Sequence, residues 1–186
     1  MKMAVVRRKR NRPTRPVRTV EIGQGANNSS EAKNLYEQMG FGNHDGHIEQ
    51  FIERLGIRLV RKPMRDDQSG FLHPEGSGWV IGINSLHHPN RQRFTMAHEL
   101  GHYFLHRHKA KAYDDNYAFT RADAKSDPDE WQANQFAAEF LMPEQEFRDR
   151  VAEGKNSFDQ LATYFGVSTM AVRIRAKTLG MTGHGL

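Results

Sequence analysis

Two histidines four residues apart, with a glutamate directly after the first, form the stretch with the clearest chemical potential. They are His98, Glu99 and His102, within HELGH. On a helix, four residues advance about 400°, so both imidazoles point the same way and can reach one Zn²⁺ at about 2.0–2.1 Å. Glu99 lies about 100° further round, where a carboxylate ligates poorly but can take a proton from a water that the metal acidifies. The spacing predicts a hydrolytic zinc site that lacks a third ligand, with Gly101 allowing another element to approach closely.

Two later histidines are candidates for that third ligand, and helical geometry disfavours both. His108 has the spacing of the H-E-x-x-H-x-x-G-x-x-H pattern, but Leu105 replaces the glycine that turns the chain back towards the metal. His106 shares the stripe of His102, yet it lies two turns, or about 12 Å, from His98. We therefore expect His106 to support a ligand or to pack, and not to bind the metal itself.

A second helix is predicted within DPDEWQANQFAAEFLMP, residues 127 to 143. Glu130 and Asn134 are four residues apart and share a face, so Glu130 could ligate while Asn134 orients a ligand histidine. The apolar residues of this helix supply a packing surface elsewhere on it: Trp131, Phe136, Phe140 and Leu141. Helical spacing alone does not separate Glu130 from its acidic rivals, which are Asp127, Asp129 and Glu139.

Two segments of the chain resemble the ImmA/IrrE-type zinc metallopeptidases, which are gluzincin-like enzymes. The segments are RQRFTMAHELGH (91 to 102) with the trailing His106, and EWQANQFAAEFLMP (130 to 143). A softer likeness extends over roughly residues 30 to 183. The resemblance implies one zinc ion per chain, although other divalent transition metals suit the same donors. It implies as ligands His98, His102 and Glu130, with Glu99 as the catalytic base and Asn134 as a neutral orienting amide.

The same resemblance implies a substrate and a biological setting. Members of the family typically cleave a partner repressor with a helix-turn-helix fold, often encoded nearby, and so release stress-response or mobile-element genes. Some belong to toxin–antitoxin-like pairs. The alternative hypothesis is a DNA-binding or partner-binding regulator whose metal site is structural or vestigial. A structural zinc is normally closed by four protein ligands, whereas three ligands and a free glutamate are typical of an open catalytic site.

The elements that must position these residues predict an α+β fold. We expect a small antiparallel or mixed sheet, an active-site helix bearing H-E-x-x-H, and a mainly helical C-terminal part. Strands are predicted at 57 to 60 and as a pair within 70 to 84. Helices are predicted around residues 30–40, 43–56, 90–108, 128–142, 143–154, 157–165 and 168–179. The intervening residues 109 to 128 are predicted to form a polar loop.

Two features of substrate handling follow as hypotheses. The strand GWVIGIN, residues 78 to 84, is expected at the edge of the sheet beside the active-site helix, where an extended peptide could add to it. A hydrogen-bond donor should also stabilise the oxyanion that forms during hydrolysis. The candidate donors are Tyr103, Tyr113 and Tyr117.

The C-terminal segment, residues 155 to 186, resembles a helix-turn-helix unit. Ala162, Gly166 and Val172 have the spacing of such units. The second helix then carries three basic residues that could enter a DNA groove: Arg173, Arg175 and Lys177. The competing interpretation is a helical pair that packs on the catalytic core or docks a partner, with four residues buried: Leu161, Phe165, Val167 and Leu179.

Composition bounds the remaining possibilities. The chain of 186 residues has a net charge of +5 and no cysteine, which excludes thiolate ligands and cysteine catalysis and fits a reducing compartment. Residues 1 to 20 contain eight basic residues and no acid, leaving 19 basic against 22 acidic residues, a net charge of −3, for the rest. We therefore expect a basic disordered tail at 1–28 that could contact nucleic acid, and a metallopeptidase domain at 29–154. No signal peptide or membrane segment is expected, so the predicted location is the cytoplasm.

Overall fold

The computed structural model describes five stretches of the chain: residues 29–41, 47–109, 113–116, 127–155 and 157–181. The predicted basic tail at 1–28 lies outside them. The fold class is confirmed as α+β, with seven helices and one small mixed sheet in these stretches. None of the helices in the described stretches combines the length and apolar character that a bilayer crossing requires.

Two short helices precede the sheet, as the sequence predicts. Helix α1 spans Ser29–Gln38, and helix α2 spans Ile48–Arg54. Each is followed by a glycine with a positive φ, +83° at Gly40 and +76° at Gly56, where a residue with a side chain would be strained. The apolar stripe of α2 is buried as its spacing indicates, so both helices pack inward from the start of the domain.

The sheet has four strands in the order β1-β3-β2-β4. Strand β1 spans Ile57–Lys62, β2 spans Gln68–Glu75, β3 spans Gly78–Asn84 and β4 spans Tyr113–Asn116. Strand β3 pairs parallel with β1 and antiparallel with β2, and β4 pairs antiparallel with β2. Strand β4 lies within the predicted polar loop and is a difference from the sequence prediction.

The prediction that residues 78 to 84 form an edge strand is wrong. Strand β3 lies between β1 and β2, so its backbone hydrogen bonds are used on both sides and no peptide can add to it. Its last five residues are all buried, from Val80 to Asn84. A continuous apolar run is typical of an interior strand, which explains why VIGI stands at the centre of the sheet.

Asn84 at the end of β3 ties the β1–β2 connection to the start of the next helix. Its side chain is fully buried. The amide nitrogen donates to the carbonyls of Arg65 and Gln68 at 3.0 and 2.8 Å, and the amide oxygen accepts from the backbone N–H groups of Met64 and Leu86. This hub fixes the path of the chain into the helix that carries HELGH.

Helix α3, Pro89–His106, lies directly on the sheet. Pro89 occupies its first turn, and the His88 side chain caps the helix by accepting from the Asn90 N–H. Gly70 of β2 makes the close approach possible. A Cβ added there would lie 2.6 Å from the Thr95 side chain and 2.7 Å from the Gly82 carbonyl. The middle of α3 is consequently buried without interruption from Phe94 to His102.

Four helices complete the described chain: α4 Pro128–Leu141, α5 Glu144–Ala152, α6 Phe158–Phe165 and α7 Thr169–Thr178. The side chains of Asp127, Ser157 and Ser168 cap α4, α6 and α7 respectively. On α4, Phe136 and Leu141 are buried and Phe140 is half-buried, whereas Trp131 is 54 % exposed. The expectation that Trp131 belongs to the packing surface of this helix is therefore wrong.

The helical pair α6–α7 packs against the rest of the domain. Leu161, Phe165 and Val167 are buried and Leu179 is half-buried, within one core that also contains residues of α2, α3 and the sheet. Gly166 forms the left-handed turn between the helices at φ +63°. Across the interface, the Asn90 side-chain amide donates to the Val167 carbonyl at 3.0 Å. These contacts favour the packing interpretation of the segment.

The side chain of Arg175 points into the protein, whereas a residue that contacts a DNA groove would be exposed. It is 4 % exposed, its Nε donates to the Met142 carbonyl at 2.9 Å, and its guanidinium forms an ion pair with Glu139. Arg175 thus holds α7 against the end of α4. Of the three basic residues predicted on this helix, Arg173 and Lys177 are the exposed ones.

Candidate metal centre

Three side chains from two helices converge in the way that a single metal ion requires. The two Nε2 atoms of His98 and His102 are 3.0 Å apart. Glu130 places Oε2 at 3.2 Å from the first and Oε1 at 3.2 Å from the second. Donors at about 2.0–2.1 Å from one tetrahedral ion would be about 3.3 Å apart, so the observed spacing fits a metal with little adjustment.

Each ligand position follows from a local feature of the chain. His98 and His102 stand one turn apart on α3 and are almost fully buried. Glu130 lies in the first turn of α4, directly after the Asp127 cap and Pro128, where the helix dipole favours a negative charge. Its side chain is 18 % exposed. Solvent therefore reaches the cluster from the side of α4.

Gly101 sets the distance between the two helices. A Cβ at this position would lie 3.0 Å from Cα of Ala133, 3.1 Å from its carbonyl oxygen and 3.2 Å from Cβ of Phe136. The expectation that Gly101 allows close approach is therefore met by α4. Because Ala133 lies one turn after Glu130, this contact also determines how far the carboxylate reaches towards the histidines.

We expect Gly101→Val to destabilise the protein by about 1–3 kcal/mol, because the added methyl groups meet the backbone of α4 and force the helices apart. Urea unfolding of the two proteins measures the difference. Gly78→Val is the matched control, since the nearest atom to a Cβ there is the Glu75 carbonyl oxygen at 3.8 Å. Equal unfolding midpoints for the two variants would contradict this role of Gly101.

Asn134 orients His98 from the side opposite the cluster. Its Oδ1 atom lies 3.1 Å from Nδ1 of His98. An amide oxygen only accepts, so Nδ1 of His98 donates to it, and Nε2 is the nitrogen left to ligate a metal ion. The neutral amide is therefore placed to fix the orientation of this imidazole.

The electrostatics of the cluster favour a neutral imidazole beside a charged carboxylate. Burial lowers the pKa of His102 to about 4, against a smaller opposing effect of Glu130. Burial acts to raise the pKa of Glu130, but contacts with His102 and His98 outweigh it, and the pKa lies well below its ordinary value. A neutral imidazole and an ionised carboxylate are the protonation states that ligate a divalent metal.

We expect the metal-free protein to lose stability as the pH falls from about 6.5 towards 4. In this window unfolded His102 binds a proton that the folded protein does not, so the free energy of unfolding decreases with decreasing pH. The low pKa of Glu130 adds a loss in the same direction below about 4.5. Urea unfolding in the presence of chelator, between pH 7 and pH 4.5, measures the slope.

A variant that lacks His102 provides the control for this pH dependence. His102→Asn should flatten the slope above pH 5, whereas His108→Asn, at an exposed position, should leave it unchanged. A parent protein equally stable at pH 7 and pH 5 would contradict the assignment of a depressed pKa to His102.

Glu99 lies on the sheet side of the cluster. It is fully buried, and a Cβ on Gly70 would come within 3.0 Å of its Oε1 atom. The carboxylate is therefore enclosed between α3 and β2, one residue along the helix from the first clustered histidine. This enclosure leaves it few conformations.

The other candidates for the third ligand lie elsewhere. Asp127 caps α4, Asp129 binds Lys109, and Glu139 binds Arg175. His108 is exposed on the 3₁₀ turn that follows α3. Among the described residues, Glu130 is the acid that the fold brings to the two histidines. His106 instead contacts His102, with their Nδ1 atoms 3.2 Å apart.

Among the three tyrosines proposed as oxyanion donors, the structure describes the side chain of Tyr103. The Tyr103 ring packs edge-on against Trp79 with a centroid distance of 6.1 Å, and the Arg107 guanidinium lies over its face. These are packing contacts, and none of them involves the clustered side chains. Tyr113 belongs to β4, where the structure describes the backbone alone, and Tyr117 lies outside the described residues. The donor therefore stays a prediction.

Sequence reasoning missed one residue of the site. Gln132 accepts from His106 across the helix pair, with Oε1 at 2.9 Å from Nε2. Its spacing from Glu130 gives no helical signal, because two residues on a helix point to different faces. Only the crossing of α3 and α4 reveals the contact.

Comparison with known proteins agrees with this geometry. The model of the IrrE N-terminal-like domain matches residues 52–177, which include the helices of the cluster and both segments quoted above. Metallopeptidase ImmA of Bacillus subtilis (strain 168) is 31 % identical over 104 residues, covering 55 % of this chain. The matched region spans 57 % of the length of that relative.

A solved structure shares the fold. The Mycobacterium tuberculosis transcriptional regulator superposes with a TM-score of 0.57 at 20 % identity, over 80 % of this chain and 46 % of its own length. At that identity the likeness concerns the fold alone. The family match extends over more than half of the chain and includes the two histidines and the glutamate, and the chain therefore belongs to the ImmA/IrrE-type family.

Proposed function

We propose that this protein is a zinc-dependent endopeptidase that cleaves a partner regulatory protein. The observation that carries the proposal is the convergence of His98, His102 and Glu130, with donor atoms 3.0–3.2 Å apart. The fully buried Glu99 next to this cluster supplies a second carboxylate that is not needed as a ligand. Family membership supports peptide hydrolysis as the reaction.

The donor set supports a catalytic site in preference to a structural one. Two imidazoles and one carboxylate suit Zn²⁺, and manganese, cobalt or iron can occupy the same donors. Structural zinc is normally held by four protein ligands. In the described part of the chain, the potential metal-binding group contains three residues, which leaves a coordination position for water or substrate.

Each residue of the chain then has a defined task in hydrolysis. A divalent metal ion, when bound, supplies the Lewis acidity that polarises a peptide carbonyl and acidifies water. Glu99 takes the proton of the attacking water and returns it to the nitrogen of the leaving amine. Asn134 holds His98 with its Nε2 lone pair towards the site. We predict that a tyrosine donates a hydrogen bond to the oxyanion. Tyr113 and Tyr117 are the candidates, because Tyr103 packs against Trp79 and Arg107.

Because β3 lies inside the sheet, the proposed docking strand for the substrate is β4 instead. Strand β4 is an outer strand of the sheet, and its partner β2 contributes Gly70, the residue against Glu99. Asp115 of β4 pairs with Gly70 in the sheet register. An extended peptide that pairs with the side of β4 that no described strand covers would run past the active-site helix.

The substrate class rests on the family resemblance. Family members typically act on helix-turn-helix repressors, so a repressor encoded near this chain is the proposed target. The rival function, a DNA-binding regulator with a structural or vestigial metal, would use the basic tail or α7. The inward Arg175 leaves that helix two exposed basic residues for DNA, which weakens this alternative.

Incubation of the purified full chain with the neighbouring repressor and Zn²⁺ tests the proposal. We expect repressor fragments that appear with time and disappear when a chelator is added. Binding of a DNA duplex with steep salt dependence, without cleavage of the repressor, would support the regulator instead. Fragments that form equally with chelator present would exclude a metal-dependent reaction.

A further inference from the structure

His106 connects the ligand His102 to α4. It follows His102 by one helical turn and is 1 % exposed. The two Nδ1 atoms are 3.2 Å apart, which is a hydrogen-bond distance for a pair of imidazole nitrogens. One of these two nitrogens must carry the proton and the other must accept it.

The contacts of Nε2, the other ring nitrogen of His106, indicate which of the two Nδ1 atoms donates. Its Nε2 atom lies 2.9 Å from Oε1 of Gln132 and 3.6 Å from Oδ1 of Asp129. Both oxygens are acceptors, so a His106 imidazole with one proton would carry it on Nε2. Nδ1 of His106 would then accept from Nδ1–H of His102. When a metal ion is bound, this arrangement would leave the Nε2 lone pair of His102 to ligate it, beside His98 and Glu130.

Gln132 is the closer of the two acceptors, and Asp129 has another partner. Lys109 places Nζ at 2.5 and 2.7 Å from the two carboxylate oxygens of Asp129. This ion pair holds the end of α3 against the start of α4. The amide of Gln132 remains the group within normal hydrogen-bond distance of His106 Nε2.

Both clustered histidines are thus held from the same helix. Asn134 binds His98 directly, and Gln132 acts on His102 through His106. The two amides lie on either side of Ala133, the residue that packs against Gly101. One helix–helix contact therefore sets the distance of Glu130 and the orientation of both imidazoles.

We propose that Gln132 and His106 are positioning residues that fix the proton of His102 on Nδ1 and keep its Nε2 atom available to a metal ion. The inference rests on the proposed metal site and deepens it. It predicts a direction: an acceptor at position 132 supports metal binding, whereas a donor there opposes it. Gln132 has an exposed position on α4, so substitutions leave the core untouched.

Paired substitutions at this position test the direction. Gln132→Glu keeps an acceptor, and Gln132→Lys presents only a donor. Gln135→Glu and Gln135→Lys introduce the same charges one turn along the same helix and serve as matched controls. The readouts are the Zn²⁺ dissociation constant, by competition with a chromophoric chelator, and the His106 tautomer in Zn²⁺-bound protein, from imidazole ¹⁵N chemical shifts.

We expect Gln132→Lys to weaken Zn²⁺ binding about 10- to 100-fold relative to Gln135→Lys, and Gln132→Glu to stay within about threefold of Gln135→Glu. The ¹⁵N shifts should report the Nε2–H tautomer of His106 in the Zn²⁺-bound parent and its loss in Gln132→Lys. Equal Zn²⁺ affinities for the two lysine variants, or an Nδ1–H tautomer of His106 in the parent, would overturn the inference. Both readouts are made without substrate, so a protein that binds Zn²⁺ but cleaves nothing would refute the proposed function alone.

Discussion

Replacement of Glu99 by glutamine is expected to abolish repressor cleavage while the fold and the metal affinity are retained. Glutamine has the size of glutamate, so it fits the fully buried space between α3 and β2. It cannot take a proton from water at neutral pH. General base catalysis typically contributes about 10²- to 10⁴-fold, and in the proposed mechanism the same group also protonates the leaving amine. We therefore expect a rate at least about 10³-fold below that of the parent.

Three measurements distinguish the loss of a catalytic base from the loss of the fold or of the metal site. Unfolding by urea and Zn²⁺ affinity should stay close to parent values, because Glu99 is not one of the three clustered donors. The exposed Glu37 provides a matched control, and Glu37→Gln should cleave at the parent rate. Cleavage by Glu99→Gln at the rate of the parent would remove Glu99 from its proposed role.

The helices and their ends could be predicted from the sequence because the signals are local. Gly40 and Gly56 end their helices with a positive φ, and Ser157 and Ser168 begin theirs with side-chain caps. The i, i+4 spacing of His98 and His102 likewise needs no more than a helix. Such features depend on a few neighbouring residues, and tertiary packing does not change them.

The order of the strands could not be read in the same way. Whether β3 lies at an edge depends on β1, which precedes it by about twenty residues, and on the crossover that makes the two strands parallel. Strand β4 consists of the polar residues YDDN and carries no apolar alternation. It exists because β2 offers a free edge, which is information that the segment itself lacks.

The candidate metal site likewise combines features that are local in sequence with features that depend on how the helices pack. Helical spacing left Glu130 open against its acidic rivals, and the family resemblance selected it. The crossing of α3 and α4 brings Glu130 to the histidines, and that crossing depends on the absence of a side chain at Gly101. Trp131 and Gln132 were misjudged or missed because their environments depend on the same crossing. The consecutive residues of α4 thus have different surroundings. Glu130 contacts the two clustered histidines, Trp131 faces solvent, and Gln132 contacts His106.

Replacement of Glu130 by alanine is expected to remove most of the metal affinity and, with it, the proteolysis. Small zinc sites with four ligands bind with about 10–16 kcal/mol, so one ligand contributes about 3 kcal/mol, or roughly 100-fold in affinity. The loss should be at least as large as that caused by any change at position 132, because the carboxylate contacts both histidines and supplies the negative charge of the site. Competition with a chromophoric chelator measures the affinity, and fragment formation measures the activity.

The matched control for Glu130→Ala is Glu144→Ala, which removes a carboxylate from an exposed ion pair with Arg148 at the start of α5. This change should leave Zn²⁺ affinity and cleavage unaltered. Excess Zn²⁺ should restore part of the activity of Glu130→Ala but none of that of Glu99→Gln, because the first variant lacks a ligand and the second lacks a base. Parent-like Zn²⁺ affinity in Glu130→Ala would show that the ion is held by another acid, and the assignment of the site would have to be abandoned.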